Sequence, residues 1–336
     1  MTTDLMENKA KVQRLIDQKR KDEAVALLFD MVVACSKAKK FQEAEELRQQ
    51  IMEVNSLALN EIIKAAEIIE SEKAKSIDQY HKRVWHAIYT QLSEEEANDL
   101  YFSLKKIDLS PDKMIIQQGR VNNRLFFVDA GVLRVFFEKD NKEMFLKETG
   151  KGEPVGFKSF FNISYATVTI MTKGPVTFHY LERKQWDQLV KKHPGLDGKL
   201  ETICASLIKN KIEDILENKS AERRQYDRFR LNGKAAVHII KADGQPAQFP
   251  FYGMLEDISQ GGLSFSFRKS TRETARMLLG QQAQIKIQTD DAKDAPEPTG
   301  RIISVHNQLF NEYLVNFKFH KPIPAHTVME LASPKH

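Results

Sequence analysis

The chain has 336 residues, 41% of them hydrophobic and 29% charged, which is the composition of a soluble globular protein with room for two or three separate cores. Lys and Arg total 51 and Asp and Glu 46, so the net charge of +5 does not by itself imply nucleic acid or a membrane surface. No apolar run approaches the roughly 20 residues that cross a bilayer, and the opening residues lack a signal-peptide core.

From about residue 4 to 75 the pattern is helical, without glycine or proline. Val25, Leu27, Leu28, Met31 and Val32 form a stripe at helical spacing after Ala24; this run to Cys35 is broken by Asp30 and reads as a buried helix. Leu47, Ile51 and Met52 follow Ala44 in the same way twenty residues on, with Ser36–Lys40 as the turn between. The pair is faintly similar to tetratricopeptide-type hairpins, in which a small residue lets two helices approach. A third helix is expected over about Leu57–Lys75. Residues 1–78 are read as a helical bundle that recruits a protein partner or joins two subunits.

The next block, 79–218, begins with helical segments through Trp85, Ile88 and Leu92, and Ser93 to Glu96 has the form of a capped helix start. Strands are expected at 113–116, 124–128, 131–137, 142–146, 166–171 and 176–181, with Gly119, Gly131, Gly152 and Gly156 at tight joints. Ile115–Gly119, Leu125–Val135 and Gly152–Gly156 together resemble the cyclic-nucleotide-binding domain family. The resemblance implies a β-roll with flanking helices. In that family a glutamate after the second glycine of the cassette holds the ribose, and an arginine two positions before an Ala-Thr pair neutralises the cyclic phosphate. Here the cassette is Gly156, Phe157, Lys158, Ser164, Ala166 and Thr167, with Phe157 and Ser164 at the two ligand positions. Losing a buried phosphate's arginine costs roughly 3–5 kcal/mol, or about two to three decades of affinity or more. The pocket is therefore read as degenerate, with Lys158 left as a point charge near the phosphate. A helix over 184–192 and a second over 196–218 follow; the second is a candidate dimer seam, and no helix-turn-helix comes after it.

The last block, 219–336, is strand-rich: 233–240, 248–255, 262–267, 284–289, 300–305 and 312–319, with a short helix over 271–279. Such strands close a small antiparallel barrel. Ahead of them stands Glu222-Arg-Arg-Gln-Tyr-Asp-Arg228, and among them Asp257-Ile-Ser-Gln-Gly-Gly262 reads as a tight turn. An RxxxR link alone is usually a solvated face, and an Asp-x-Ser-x-Gly-Gly segment alone an ordinary hairpin turn with glycine at positive φ. In this order and spacing the two resemble the signature of PilZ domains, receptors for cyclic di-GMP with a six-stranded antiparallel β-barrel. The resemblance implies contacts from Arg224 and Arg228 to phosphate and guanine, with Arg223 bearing on the number of ligand molecules. Arg has the planar fork that matches phosphate oxygens and the O6/N7 edge of guanine. Asp257 can accept from the guanine N1–H and N2–H₂ edge, Ser259 can bond phosphate or base, and Gly261 and Gly262 allow close backbone approach. Arg301 is a further candidate that would stack on a base. Phe229, Phe251, Tyr252, Phe265 and Phe267 are assigned to the core.

The expected protein is thus multidomain α+β and non-enzymatic, without cofactor. The scattered histidines suggest no metal site, since His81 and His86 do not share a helix face. Cys35 and Cys204 form no CxxC pair, which favours a reducing cytoplasm. The function expected is a bacterial cyclic di-GMP receptor in which capture by the arginine link reorients the two barrels. A sensor that also binds cyclic AMP or GMP in the middle domain, and a scaffold without ligand, are the alternatives; nucleic acid is not favoured, for nothing beside the basic link offers groove-reading geometry.

Overall fold

The computed structural model describes residues 2–139, 142–208, 226–268, 272–289, 295–308 and 312–332. Its contacts separate a unit of Met1–Lys105 with Gln185–Leu196 from a unit of Lys106–Lys184 with Asp197–His336. No helix among the described residues is long and apolar enough to cross a membrane.

The first unit is helical. Its main helices are α1 (Thr2–Asp17), α2 (Lys21–Lys37), α3 (Phe41–Val54) and α4 (Leu59–Ser76). With no glycine available, α1 and α2 end on Lys19 and Lys39 in the left-handed region, at φ 60° and 61°. The following amides close back on the helix, Arg20 N–H donating to the Leu15 carbonyl and Lys40 N–H to the Cys35 carbonyl, both at 2.9 Å. This is the six-to-one bond of a Schellman stop, normally built on glycine, and it occurs twice at the same spacing. The internal repeat in the sequence is therefore a repeat of structure. Ala24 and Ala44 are fully buried, as the close approach of two helices requires, and Leu28, Val32, Leu47, Ile51 and Ile69 complete the core. The cysteines are buried and unpaired. Burial, followed by Glu43, pushes the Cys35 thiol up; burial and then Glu201 do the same to Cys204, so neither presents a reactive thiolate.

Short helices α5 (Gln79–Val84), α6 (His86–Tyr89) and α7 (Glu94–Ser103) follow. The Ser93–Glu96 capping box is present in full, with both reciprocal bonds made. At the end of a later helix, Lys192 meets Glu95 at 3.1 Å and also contacts Asp99, while His193 Nε2 lies 2.8 Å from the same Asp99 oxygen. The donor atoms of Glu95, Asp99 and His193 lie within 4.8 Å of one another. The Lys192 ammonium already sits among these carboxylates, so their grouping is an ion-pair network. Desolvation pushes the Asp99 carboxyl up, but hydrogen bonds from Lys192 and His193 and the nearby charges of Lys192 and Lys73 outweigh it and hold it below the usual carboxylate value. A depressed carboxylate stabilises the fold above its unfolded value, and that contribution is lost as pH falls through the folded value. Asp99→Asn is accordingly expected to flatten the acid limb of the stability curve below about pH 4, measured by circular dichroism against pH.

In the second unit, residues 106–184 form a β-roll. One sheet has the order β1 (Lys105–Leu109), β9 (Val176–Glu182), β3 (Arg124–Ala130), β6 (Pro154–Val155). The other has β2 (Met114–Ile116), β8 (Thr169–Thr172), β4 (Val132–Lys139), β5 (Lys142–Gly150). Phe126, Val128, Leu133, Val135, Ile170 and Phe178 face inward from both. The four glycines expected at joints all take positive φ, between 76° and 94°. Between β6 and β8 in the chain come α8 (Phe157–Phe161) and the two-residue β7 (Ile163–Ser164). Beyond α9 (Arg183–Lys192), α10 covers Leu196–Ser206 with Leu200, Ile203 and Cys204 buried; of the helix expected over 196–218, the candidate dimer seam, residues 209–218 lie outside the described residues.

The C-terminal part closes on itself. The strands β11 (Lys234–Ile239), β12 (Phe251–Ser259), β13 (Gly262–Arg268), β14 (Gln282–Gln288), β15 (Thr299–Asn307) and β16 (Glu312–Phe319) pair antiparallel in the cyclic order β12-β11-β14-β15-β16-β13 and back to β12. The expected six-stranded barrel is present. A short helix α11 (Arg272–Arg276) precedes β14, and α12 (Ala325–Ala332) ends the described chain. Phe265, Ile285, Ile302, Val315 and Phe317 fill the interior. Of the five aromatics assigned to the core, Phe265 and Phe267 are buried in it and Phe229 and Phe251 pack against it. Tyr252 does not: it is 60% exposed, because it alternates outward between Phe251 and Gly253.

Candidate functional site

The Asp257 carboxylate owes its orientation to one irregularity. Along β12, Leu255 points into the barrel, and simple alternation would turn Asp257 inward as well. A bulge between Leu255 and Asp257 inserts one extra residue and shifts the phase. Ile258 then enters the core, fully buried, and Asp257 is aimed outward. Asp257 and Ser259 therefore belong to a strand and not, as expected, to a turn; the turn is only Gln260 and Gly261, between the opposed pair Ser259 and Gly262.

Neither Gly261 nor Gly262 takes positive φ, contrary to the ordinary hairpin-turn reading. Glycine is needed at 262 for another reason: a Cβ there would overlap the Phe317 carbonyl of the adjacent strand. At 261 a Cβ would press on the Tyr226 ring at 2.9 Å. Ser259 is buried and its hydroxyl donates to the Gly262 carbonyl at 3.1 Å, so in this state it braces the turn.

The arginine motif is partly placed. A two-residue strand, β10 (Phe229–Arg230), lies along the same edge of β12 as β11, with Phe229 opposite Ile258 and Arg230 opposite Asp257. This fixes Arg228, the last arginine of the RxxxR link, beside the motif: its Nη1 lies 3.3 Å from both Asp257 carboxylate oxygens. Two residues assigned to one ligand thus hold each other at the barrel surface. Arg223 and Arg224 lie outside the described residues.

Register places Arg301 as well. Ser259 opposes Gly262, Gly262 opposes Lys318, and Lys318 opposes Arg301, so these four positions form one row across β12, β13, β16 and β15. Arg301 is exposed and stands two strands, about 10 Å, from Gly262. Lys318, also exposed, lies between them and was not singled out from sequence, because a charged residue alternating with Phe317 and Phe319 looks like any outward strand position.

In the β-roll, Gly156 is left-handed (φ 81°) at the start of α8, and a Cβ there would meet the Asn122 amide at 2.6 Å. That amide, itself buried, donates to the Arg124 and Gly156 carbonyls and to Ser159. Phe157 opens α8, and Lys158 is exposed on it. Ser164 lies in β7, while Ala166 is buried in the roll and Thr167 is exposed. Apolar and hydroxyl side chains thus stand where the family resemblance requires a ribose acceptor and a phosphate cation.

The chain thus joins a β-roll with a helical cassette to a closed barrel that holds an acidic strand end beside an arginine. Residues 106–193 match the model of the cyclic nucleotide-binding domain and residues 222–333 that of the PilZ domain, so the chain carries these two domains in this order. Both are ligand-binding regulatory domains, and their combination is that of a nucleotide-binding signalling protein. No curated protein matches the chain. Among solved structures it is similar to a cyclic nucleotide-binding domain from Methylobacillus flagellatus KT, at 17% identity over 44% of this chain and 85% of that one, TM-score 0.38. It is also similar to the sensor domain of the transcriptional regulator DNR from Pseudomonas aeruginosa, at 15% identity over 43% and 94%, TM-score 0.32. A third is the regulatory subunit of a cAMP-independent protein kinase A from Trypanosoma cruzi bound to guanosine, at 18% identity over 45% and 53%, TM-score 0.36.

Proposed function

We propose that the chain is a cytoplasmic receptor for cyclic di-GMP, which is captured at the PilZ barrel by Arg224, Arg228, Asp257 and the Ser259–Gly262 turn. The observation that carries this reading is the Arg228–Asp257 contact at the outward end of β12, 3.3 Å long. The two side chains are complementary to the two edges of guanine, Arg to O6 and N7, Asp to N1–H and N2–H₂. Their mutual pair is partly exposed, at 40% and 29%, and such pairs are worth about 0–1 kcal/mol. A bidentate Arg–guanine contact supplies roughly 1–3 kcal/mol of discrimination between bases. The internal pair is therefore a weak competitor for the ligand. Lys318 and Arg301 stand exposed in the row from Gly262 and add positive charge beside the turn.

Ligand capture draws the arginine link onto the barrel and so reorients the two barrels, a shift driven only by the difference in ligand affinity between the two arrangements. The helical unit is the site for a protein partner; Leu57, Leu59 and Ile63 are exposed on it. The test is a nucleotide panel by equilibrium dialysis on the full chain. Cyclic di-GMP binding at micromolar or tighter affinity, lost in Arg224→Ala, with cyclic AMP and cyclic GMP at least a hundredfold weaker, is expected. Cyclic AMP binding at low micromolar affinity would favour the two-nucleotide sensor, and no binding of any of the three the scaffold.

A further inference from the structure

We infer that the cassette strand of the roll is a docking strand for the PilZ barrel: Ile163 and Ser164 complete the barrel's wall, and what this cassette grips is a sheet edge in place of a mononucleotide phosphate. The inference does not depend on which nucleotide the PilZ barrel binds.

Three observations carry it. Along β15, the edge facing β14 is paired only at Thr299, Gly300 and Arg301. Past that point β7 takes over the edge antiparallel, Ser164 opposite Ser304 and Ile163 opposite Val305. An open edge is a template for any strand that reaches it, and here the roll supplies the strand. Second, Ile163 is 7% exposed and packs in the hydrophobic cluster of the PilZ barrel, not in that of the roll. Third, the residue after the strand is also engaged: a Cβ on Gly280, at φ 82°, would lie 2.6 Å from the Tyr165 hydroxyl.

The chain returns to the roll within one more residue. The Ala166 N–H donates to the Arg120 carbonyl, and its own carbonyl accepts from Gly119 N–H, both at 2.8 Å. Ala166 is a member of the roll's cluster. Residues 163–166 therefore bridge two cores, and the segment that in the resembling family closes on a cyclic phosphate is committed at both ends.

Register also links the joint to the PilZ motif. Asp257 opposes Ser264, Ser264 opposes Asn316, Asn316 opposes Ser304, and Ser304 opposes Ser164. The row crosses five strands, about 19 Å. Within it the Asn316 amide donates to the Ser304 hydroxyl at 2.7 Å, while the buried Ser264 hydroxyl has no hydrogen-bond partner among the described residues. The joint thus lies on the same face of the sheet as Asp257, and any reorientation of the barrels has to work against it.

Hydrogen exchange on the full chain without nucleotide is the test. The amides of 163–165 and 303–306 should be protected together, and Ile163→Asp should speed both segments at least tenfold while β3, β9, β13 and β16 keep their protection. Free exchange of 163–165 in the wild type, or an unchanged 303–306 in the variant, overturns the inference. If Ile163→Asp does not fold, Ser164→Cys with Ser304→Cys decides. Directly opposed strand residues have Cα atoms about 4.5–5.5 Å apart, within disulfide range, and mild oxidation should close an intramolecular bond. Absence of that bond would equally overturn the joint.

Discussion

Arg228→Ala is expected to weaken cyclic di-GMP binding by about 10- to 100-fold, the loss of hydrogen bonds from a charged group worth roughly 1.5–3 kcal/mol. Asp257→Ala should cost a similar factor, since a guanine edge with paired donors would be left without its acceptor. The double variant distinguishes the ligand account from a merely structural pair. In the free protein the two side chains hold each other at 3.3 Å, so each single variant also removes a small internal contact and frees its partner. If both touch ligand separately, the losses approach additivity, less the ~0–1 kcal/mol of the surface pair. If the pair only braces β10 against β12, the second substitution should add nothing. Calorimetric titration of the four proteins reads this directly.

Phe265→Ala should be the most damaging single substitution in the PilZ barrel. Phe265 is fully buried, opposite Leu255 and Val315, with the rings of Phe251 and Phe267 at centroid distances of 6.1 and 6.3 Å. Truncating a buried Phe costs about 3–5 kcal/mol, because transfer free energy and a cavity add. At a urea dependence of about 1–3 kcal/mol per molar, the barrel's midpoint should fall by about 1–3 M or more. Tyr252→Ala, on the outward face of the neighbouring strand, should stay within about 0.5 kcal/mol of wild type. Urea unfolding followed by fluorescence compares the two. Equal losses would mean that the inward and outward faces of β12 and β13 are wrongly assigned.

What could be read from the sequence follows the length and regularity of each signal. The long helices, the capping box at Ser93 and Glu96, and the barrel strands β11, β13 and β16 all carry several periods of a pattern and were legible. So was the pairing of an RxxxR link with an Asp-x-Ser-x-x-Gly segment, whose order and spacing carry the PilZ resemblance. Two-residue strands have no period to detect. β7 and β10 were therefore missed, yet one forms the joint between the barrels and the other holds Arg228 against Asp257. The bulge before Asp257 was hidden for a related reason. Phe251, Gly253 and Leu255 keep a two-residue alternation that Ile258 breaks, and only the pairing with β13 shows that one residue has been looped out. Lys318 was passed over because register, not local sequence, places it between Gly262 and Arg301.

The departures at the roll's cassette acquire a physical sense from the same register. With Ser164 in place of an arginine, the segment would leave a cyclic phosphate without its counter-charge. A short uncharged side chain is also what an edge strand needs where it lies opposite Ser304.

The most direct test of the central claim is isothermal titration of the full chain with cyclic di-GMP. The account predicts saturable binding at micromolar or tighter affinity that is lost in Arg224→Ala and falls 10- to 100-fold in Asp257→Ala. Absence of heat and of competition at ligand concentrations up to a millimolar, or affinity unchanged by both substitutions, would contradict it.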